Sequence, residues 1–310
     1  MAKRIVSSLL LAKLQPTPGT DPVPTAAANS MLVSNLKVQP LVAGFAERNN
    51  IQPYFGNQGM VYTGAYSECS FDVEVQGSGT AGTAPKFGPL LRAGALAETL
   101  VALTSAAYAP ITSSLEAVTL YYYLDGLLYK MTDAKCTMAY KIMARGIPKI
   151  SYKFTGFQAD PTDTALPAGT DYSGFKDPIV SNKLNTPTCT LHSIAAKVQS
   201  IDIDMANAVT YINRIGSETV ELTDRKPSGS IVMELDTVAV KAWVTTIKAG
   251  TLAPLSVIHG IGAGYISTFS APKVQVLDYS LDESDGIAMV TAKLAFQPNA
   301  GNDEVVLTFT

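Results

Sequence analysis

Cysteine, histidine and charge are all scarce in this chain, and each scarcity closes off a class of function. Cys69, Cys136 and Cys189 are odd in number, far apart and without a CxxC pair. They suit buried thiols in a reducing compartment better than a disulfide frame or a zinc site. His192 and His259 are the only histidines, and the text holds no HExxH, no GxxxxGK[ST] phosphate loop and no GxSxG elbow. The glycine run Gly260-Ile261-Gly262-Ala263-Gly264 lacks the third glycine spacing of a dinucleotide loop and precedes strand-like text, so no cofactor is expected. Charged residues make up 16% and hydrophobic ones 47%, a balance that leaves surface for neighbours and points to an oligomer. The net charge of −3 argues against gripping nucleic acid through its phosphates, which needs clustered Lys and Arg. No apolar run reaches the roughly 20 residues of a membrane-spanning helix.

What the chain does have is an echo of itself. At an offset of 160, Lys37, Val38 and Gln39 meet Lys197, Val198 and Gln199, Ala46 meets Ala206, and Gly56 meets Gly216. At the same offset SFDVEV (70–75) meets SIVMEL (230–235). The offset then becomes 156, matching Phe87 with Trp243 and RAGAL (92–96) with KAGTL (248–252). At 140, Gly146-Ile147 meets Gly286-Ile287 and Lys153 meets Lys293. The matches keep their order and every change of offset falls where a loop is expected, which reads as a tandem duplication. The length prior of about two domains agrees.

The division expected is an extended N-terminal arm at 1–34, a first copy at 35–158, an extended linker at 159–193 and a second copy at 194–310. The arm opens with MAKRIVSSLLLAKLQ, which imitates a secretory signal, but the apolar run is short, holds Ser7 and Ser8, and meets Lys13 where a cleavage site should be. Prolines 16, 18, 22 and 24 then forbid a regular helix or central strand. An arm with an apolar tip at Ile5, Leu9, Leu10 and Leu11 is expected to lie on a neighbour.

Residues 54–68, YFGNQGMVYTGAYSE, read as a long hairpin loop of the functional kind. Residues 70–76 alternate strictly, with Phe71, Val73 and Val75 on one face and Asp72 and Glu74 on the other. Ile231, Met233 and Leu235 against Glu234 and Asp236, and Ile201 and Ile203 against Asp202 and Asp204, repeat the pattern. A helix is expected from Pro89 to about Ala102 and its counterpart over 238–249, with Phe87 and Trp243 as core anchors. Asp125-Gly126 marks a hairpin turn. Tyr121, Tyr122, Tyr123 and Tyr129 resemble a stacking site, but neighbours on a strand face opposite ways, so structural aromatics are the better reading. The linker's Pro, Asp and Gly content makes it a semi-rigid strap.

The carboxylates at i,i+2 spacing have the composition of a cation site or a glycosidase pair. Paired catalytic carboxylates come from different strands among substrate platforms, so a solvated acidic sheet face is preferred and no enzyme is expected.

Assembled, the stretches AKLQPTPGTDPVPTAAANSMLVSNLKVQPL (12–41), YTGAYSECSFDVEVQGSG (62–79) with FGPLLRAGAL (87–96), and ARGIPKISYKFTGFQADPTD (144–163) make the chain resemble the major tail tube proteins of long-tailed bacteriophages. The resemblance implies a mainly β fold, a β-sandwich or barrel with one flanking α-helix per copy, related to the tube component of type VI secretion systems. It implies six domains per ring, and rings stacked into a tube that conducts DNA without binding it specifically. Two copies per chain depart from the usual single domain, so three chains are expected to make a pseudo-hexameric ring. The implied partners are further copies of the chain, a tail terminator, distal tail or baseplate proteins and a tape measure protein, with no membrane and no cofactor. The implied location is the virion tail, assembled in the host cytoplasm. Candidate lumen-facing acids are Asp72, Glu74, Asp202, Asp204, Glu234 and Asp236. Candidates for ring stacking are Tyr54, Phe55, Asn57, Gln58, Met60, Tyr62 and Tyr66, with Ile5, Leu9, Leu10 and Leu11 of the arm. The alternative is a non-polymerising two-domain β-sandwich binding module, for virion decoration or carbohydrate.

Overall fold

Period-two alternation dominates the text, and in the computed structural model, which describes residues 3–310, it becomes strands nearly throughout. The chain opens with β1 (Ser8–Gln15), a one-turn helix α1 (Ala26–Asn29) and β2 (Ser30–Met31). There follow β3 (Ser34–Ala46), β4 (Val61–Glu74), helix α2 (Gly88–Ala93), β5 (Leu96–Val101), β6 (Ser105–Pro110), β7 (Ala117–Leu124), β8 (Leu127–Met143), β9 (Lys149–Gln158) and β10 (Thr162–Asp163). The second half carries β11 (Thr188–Leu191), β12 (Ile194–Ala195), β13 (Val198–Asp204), β14 (Asn207–Arg214), β15 (Ser217–Arg225), β16 (Ser228–Glu234), helix α3 (Trp243–Lys248), β17 (Leu252–His259), β18 (Ser267–Ser284), β19 (Ile287–Gln297) and β20 (Val306–Phe309). The fold is mainly β, with large antiparallel sheets and short helices laid on them, as a β-sandwich requires.

Neighbouring strands follow the same order in the two halves. The first runs β3-β4-β9-β8-β7, with β1 on β7 and β10 on β8. The second runs β13-β16-β19-β18-β17, with β11 on β17 and β20 on β18. Ser70 lies opposite Lys153 and Ser230 opposite Lys293, so the 160 and 140 offsets coincide at these strands. The preceding strand departs from the sequence match: Lys37 lies opposite Ser70, whereas Asp202, not Lys197, lies opposite Ser230. Each strand carries a one-residue bulge, between Ser34 and Lys37 and between Val198 and Ser200, which is too small to account for the five-residue shift from Lys197 to Asp202.

The halves share one core. Phe71, Leu90, Leu91, Tyr152 and Phe154 belong to the same buried cluster as Ile201, Ile231, Leu255 and Val274. Two ladders cross between them, β8 with β13 and β6 with β20. Arg225 and Glu304, both almost fully buried, pair at 2.6 Å, and Arg225 also donates to the Ile111 carbonyl at 3.1 Å.

Both helices are shorter than their sequences predict. α2 carries Pro89 in its first turn and buries Leu90 and Leu91, but it stops at Ala93. A β-carbon on Gly94 would come within 2.0 Å of the Met138 side chain, and Ala95 turns the chain with φ of +63°. Residues 96–101, expected to be helical, instead pair with β6. α3 starts at Trp243, since 235–242 is loop and turn. Phe87 and Trp243 are both buried, Phe87 against Phe309 and Trp243 against His192. Asp125 and Gly126 both take positive φ, as a two-residue hairpin turn demands. Of the tyrosines, 121 and 123 pack under β1 while 122 stacks on 129 on the opposite side.

The two histidines tie the linker side to the second half. His192 bonds through Nε2 to the Val274 carbonyl and His259 through Nδ1 to Thr186 Oγ1, each at 2.9 Å. Burial holds both imidazoles below their ordinary pKa, outweighing the backbone hydrogen bonds that act the other way. The unfolded chain therefore binds these protons first, and folding stability falls as pH drops below about 6.5. Thermal melts are expected to show a flat Tm above pH 7 and a decline between roughly pH 6.5 and 5, above the range where ordinary carboxylates titrate.

Candidate assembly surfaces

Directly opposed residues in an antiparallel ladder point the same way, so the pairings define rows across the sheet. One row runs Glu74, Lys149, Lys141, Asp202, Ser230, Lys293 and Asp278 over β4, β9, β8, β13, β16, β19 and β18. The next runs Asp72, Ser151, Ala139, Asp204, Ser228, Ala295 and Gln275. Glu234 lies on the other side of the first row, four residues beyond Ser230 on β16 and opposite Met289. Five of the six acids singled out from the sequence thus share one sheet face that spans both halves. Asp236 lies beyond the end of β16.

That face is less acidic than the sequence reading supposes, because lysines share it. Lys141 faces Asp202 at 3.6 Å, Lys153 faces Glu68 at 3.3 Å, Lys197 faces Glu234 at 2.7 Å and Lys293 faces Asp278 at 3.7 Å. At Asp72 burial opposes ionisation. The hydrogen bonds from Asn35 and Ser151 and the charges of Lys149 and Lys141 outweigh it and hold the carboxyl below the usual range. The signal for the lysines was present: in KISYKF (149–154) Lys149 and Lys153 alternate with apolar Ile150, Tyr152 and Phe154. Exposed pairs of this kind contribute at most about 1 kcal/mol each; their effect is to make a face of interleaved sign.

From the core two limbs project. One is the outer part of β3 and β4, closed by a loop over 47–60; the other is the β14–β15 hairpin. The hairpin loop expected at 54–68 is therefore displaced. Tyr54, Phe55, Asn57, Gln58 and Met60 lie in it, but Tyr62 and Tyr66 sit on β4, where β-branched and aromatic neighbours favour strand. Tyr66 stacks on Tyr211 of the other limb at 5.1 Å, and a β-carbon on Gly64 would lie 2.6 Å from Asn213 Nδ2, so the limbs cross closely. An open cleft between them is lined by Val42, Gly44, Tyr66, Tyr211, Asn213 and Ile215. The loop carries Ile51 and Phe55 fully exposed, and the turn of the second limb carries Ile215 fully exposed. Sequence reasoning missed Ile51 and Ile215; each is a lone aliphatic in a polar turn, which is the only sign they gave.

The arm is largely occupied by its own chain. β1 pairs along its whole length with β7, and Leu9, Leu10 and Leu11 are buried. Leu10 faces the main core; Leu9 and Leu11 face a satellite cluster with Tyr121 and Tyr123. The expectation that Leu9, Leu10 and Leu11 lie on a neighbour gives way to a strand packed within the chain, because eight ladder positions and three buried leucines outweigh the ordering entropy. Ile5, 78% exposed, and Val6, 98% exposed, are what the tip of the arm still offers outward.

Among the described residues no group of three or more His, Cys, Asp and Glu is arranged to hold a metal ion. Among the same residues no helix is long and apolar enough to cross a membrane. No curated protein matches the chain. A model of the phage tail tube protein family matches residues 6–310, essentially the whole length, and the chain belongs to that family.

Proposed function

We propose that three chains close into a ring of six domains, and that the rings stack into the tail tube through which phage DNA passes. Membership of the family makes this a structural protein of the virion tail; the ring, the stacking and the DNA path are the finer reading. The observation that carries it is the strand order shared by the two halves, joined edge to edge through β8 and β13. It supports treating the halves as copies of one domain, 35–158 and 194–310, each filling one place in a ring. A half that already extends its sheet into the next can repeat the step from chain to chain.

The charged face spanning both halves is the natural lining. Acids paired with lysines across strands present neither a basic groove that would hold phosphates nor a uniformly negative wall. DNA meeting such a wall slides. The exposed apolar tips Ile51, Phe55 and Ile215 on limbs that leave the core suit contacts between rings. Further copies of the chain, a tail terminator and distal tail proteins are the partners for the two ends of the stack, a tape measure protein the one for its lumen. Assembly takes place in the host cytoplasm.

Electron microscopy of the purified protein tests this, with averages taken down the particle axis and native mass spectrometry alongside. The expected result is hollow six-lobed rings or tubes with a multiple of three chains. Compact monomers at every concentration, even after seeding with tail tips, would instead favour the two-domain binding module, and a glycan screen would follow.

A further inference from the structure

We infer that the joint between chains repeats the joint within the chain: β3 of one copy adds to the outer edge of β18 in the next copy, with Lys37 opposite Asp282. This rests on the ring reading and specifies which edges meet and in what register. Within the chain, β8 takes β13 along Ala139–Met143 and Ser200–Asp204, placing Lys141 opposite Asp202. The counterparts of those two strands are each open on one side. Among the described residues, β3 pairs only with β4, and β18 beyond Val276 pairs only with β19.

The register transfers through the neighbours. Ser70 and Ser230 hold the same place against Lys153 and Lys293; opposite Ser70 is Lys37, opposite Ser230 is Asp202. Lys37 therefore stands where Asp202 does. Lys149 lies beside Glu74 and Met289 beside Glu234; opposite Lys149 is Lys141, opposite Met289 is Asp282. Asp282 therefore stands where Lys141 does. The internal pair Asp202 and Lys141 becomes Lys37 and Asp282, reversed in sign on both sides and complementary again.

Three further features fit. Neither Lys37 nor Asp282 has an ion partner among the described residues. The same register sets Val38 against Leu281, which is 66% exposed in the single chain, and an open edge with an exposed leucine calls for a cover. The ladder then ends at Pro40, which has no N–H to donate. The contact joins two different edges, so it propagates head to tail and closes when the rotation permits.

The test uses the full chain in two ways. Lys37→Glu and Asp282→Lys alone are each expected to raise the concentration for half-maximal ring formation by about tenfold, since each sets like charges face to face. The double reversal is expected to return it to within about twofold of the parent. Separately, Q39C with S280C, which the register places opposite one another, is expected to oxidise into covalent dimers and trimers, while Q39C with E283C stays monomeric on a non-reducing gel. Rings that form without cross-linking above that control, or a double reversal no better than the singles, overturn the register and leave the ring standing. A parent chain that never forms rings overturns both.

Discussion

Replacing residues 47–60 with Asn-Gly is expected to leave rings intact and abolish tubes. Ala46 and Val61 already lie opposite each other, so a two-residue turn closes the limb without disturbing its ladder. Shortening the loop lowers the entropy of closing it, so the folded chain loses nothing. What disappears is an apolar surface that serves no purpose within the chain: Ile51 and Phe55 are fully exposed, and Tyr54 and Met60 largely so. Each contributes roughly 1.5–3 kcal/mol if buried in a contact. Multiplied over the three chains proposed per ring, the loss exceeds what the shorter β14–β15 limb with Ile215 replaces. Ring yield by native mass spectrometry and tube length by electron microscopy separate the two levels. Tubes of normal length from the shortened chain would remove the loop from ring stacking.

How much of this was legible follows from which interactions decided each feature. Strands with strict alternation, such as 70–74 and 230–234, lay where the text placed them because one face is core and the other solvent, although Leu235, expected on the apolar face, lies past the end of β16 and is exposed. Turns fixed by backbone chemistry, Asp125-Gly126 above all, were equally plain. The helices were overcalled because the stop was passed over: α2 ends at Ala93 with Gly94 as its cap and Ala95 at positive φ, and 96–101 then pairs with β6, a partner no local propensity shows. The Tyr62–Tyr66 strand was undercalled because its glycine-rich, polar text reads as loop, whereas pairing with Val42–Phe45 of β3 extends the ladder outward through it. The acidic face was half read: single strands show their own carboxylates, but Lys141 beside Asp202 exists only once β8 and β13 are adjacent. For the same reason, the match of Lys37 with Lys197 was misleading; ladder partners, not letters, put Lys37 level with Asp202.

Deleting residues 3–15 is expected to cost the protein its fold, not merely its assembly. Among the described residues β1 alone covers the outer edge of β7, and its end is pinned by Gln15 Oε1, which accepts the Asp133 N–H at 2.9 Å. Leu10 and Ala12 fill the main core on one face, while Leu9 and Leu11 close the satellite cluster on the other. Loss of a single such leucine to Ala costs about 2–5 kcal/mol, and a domain holds only about 5–15 kcal/mol in total. Leu10→Ala should therefore lower the urea midpoint severely, and the truncation should yield insoluble or unfolded chain. Ile5→Ala provides the contrast: at 78% exposed, it should move stability by no more than about 0.5 kcal/mol. If Ile5→Ala nonetheless shortens tubes, the arm has a structural stem and an assembly tip, and the two functions part between residues 5 and 9. A truncated chain that folds and forms rings normally would show that β7 tolerates an open edge and that the buried leucines are dispensable.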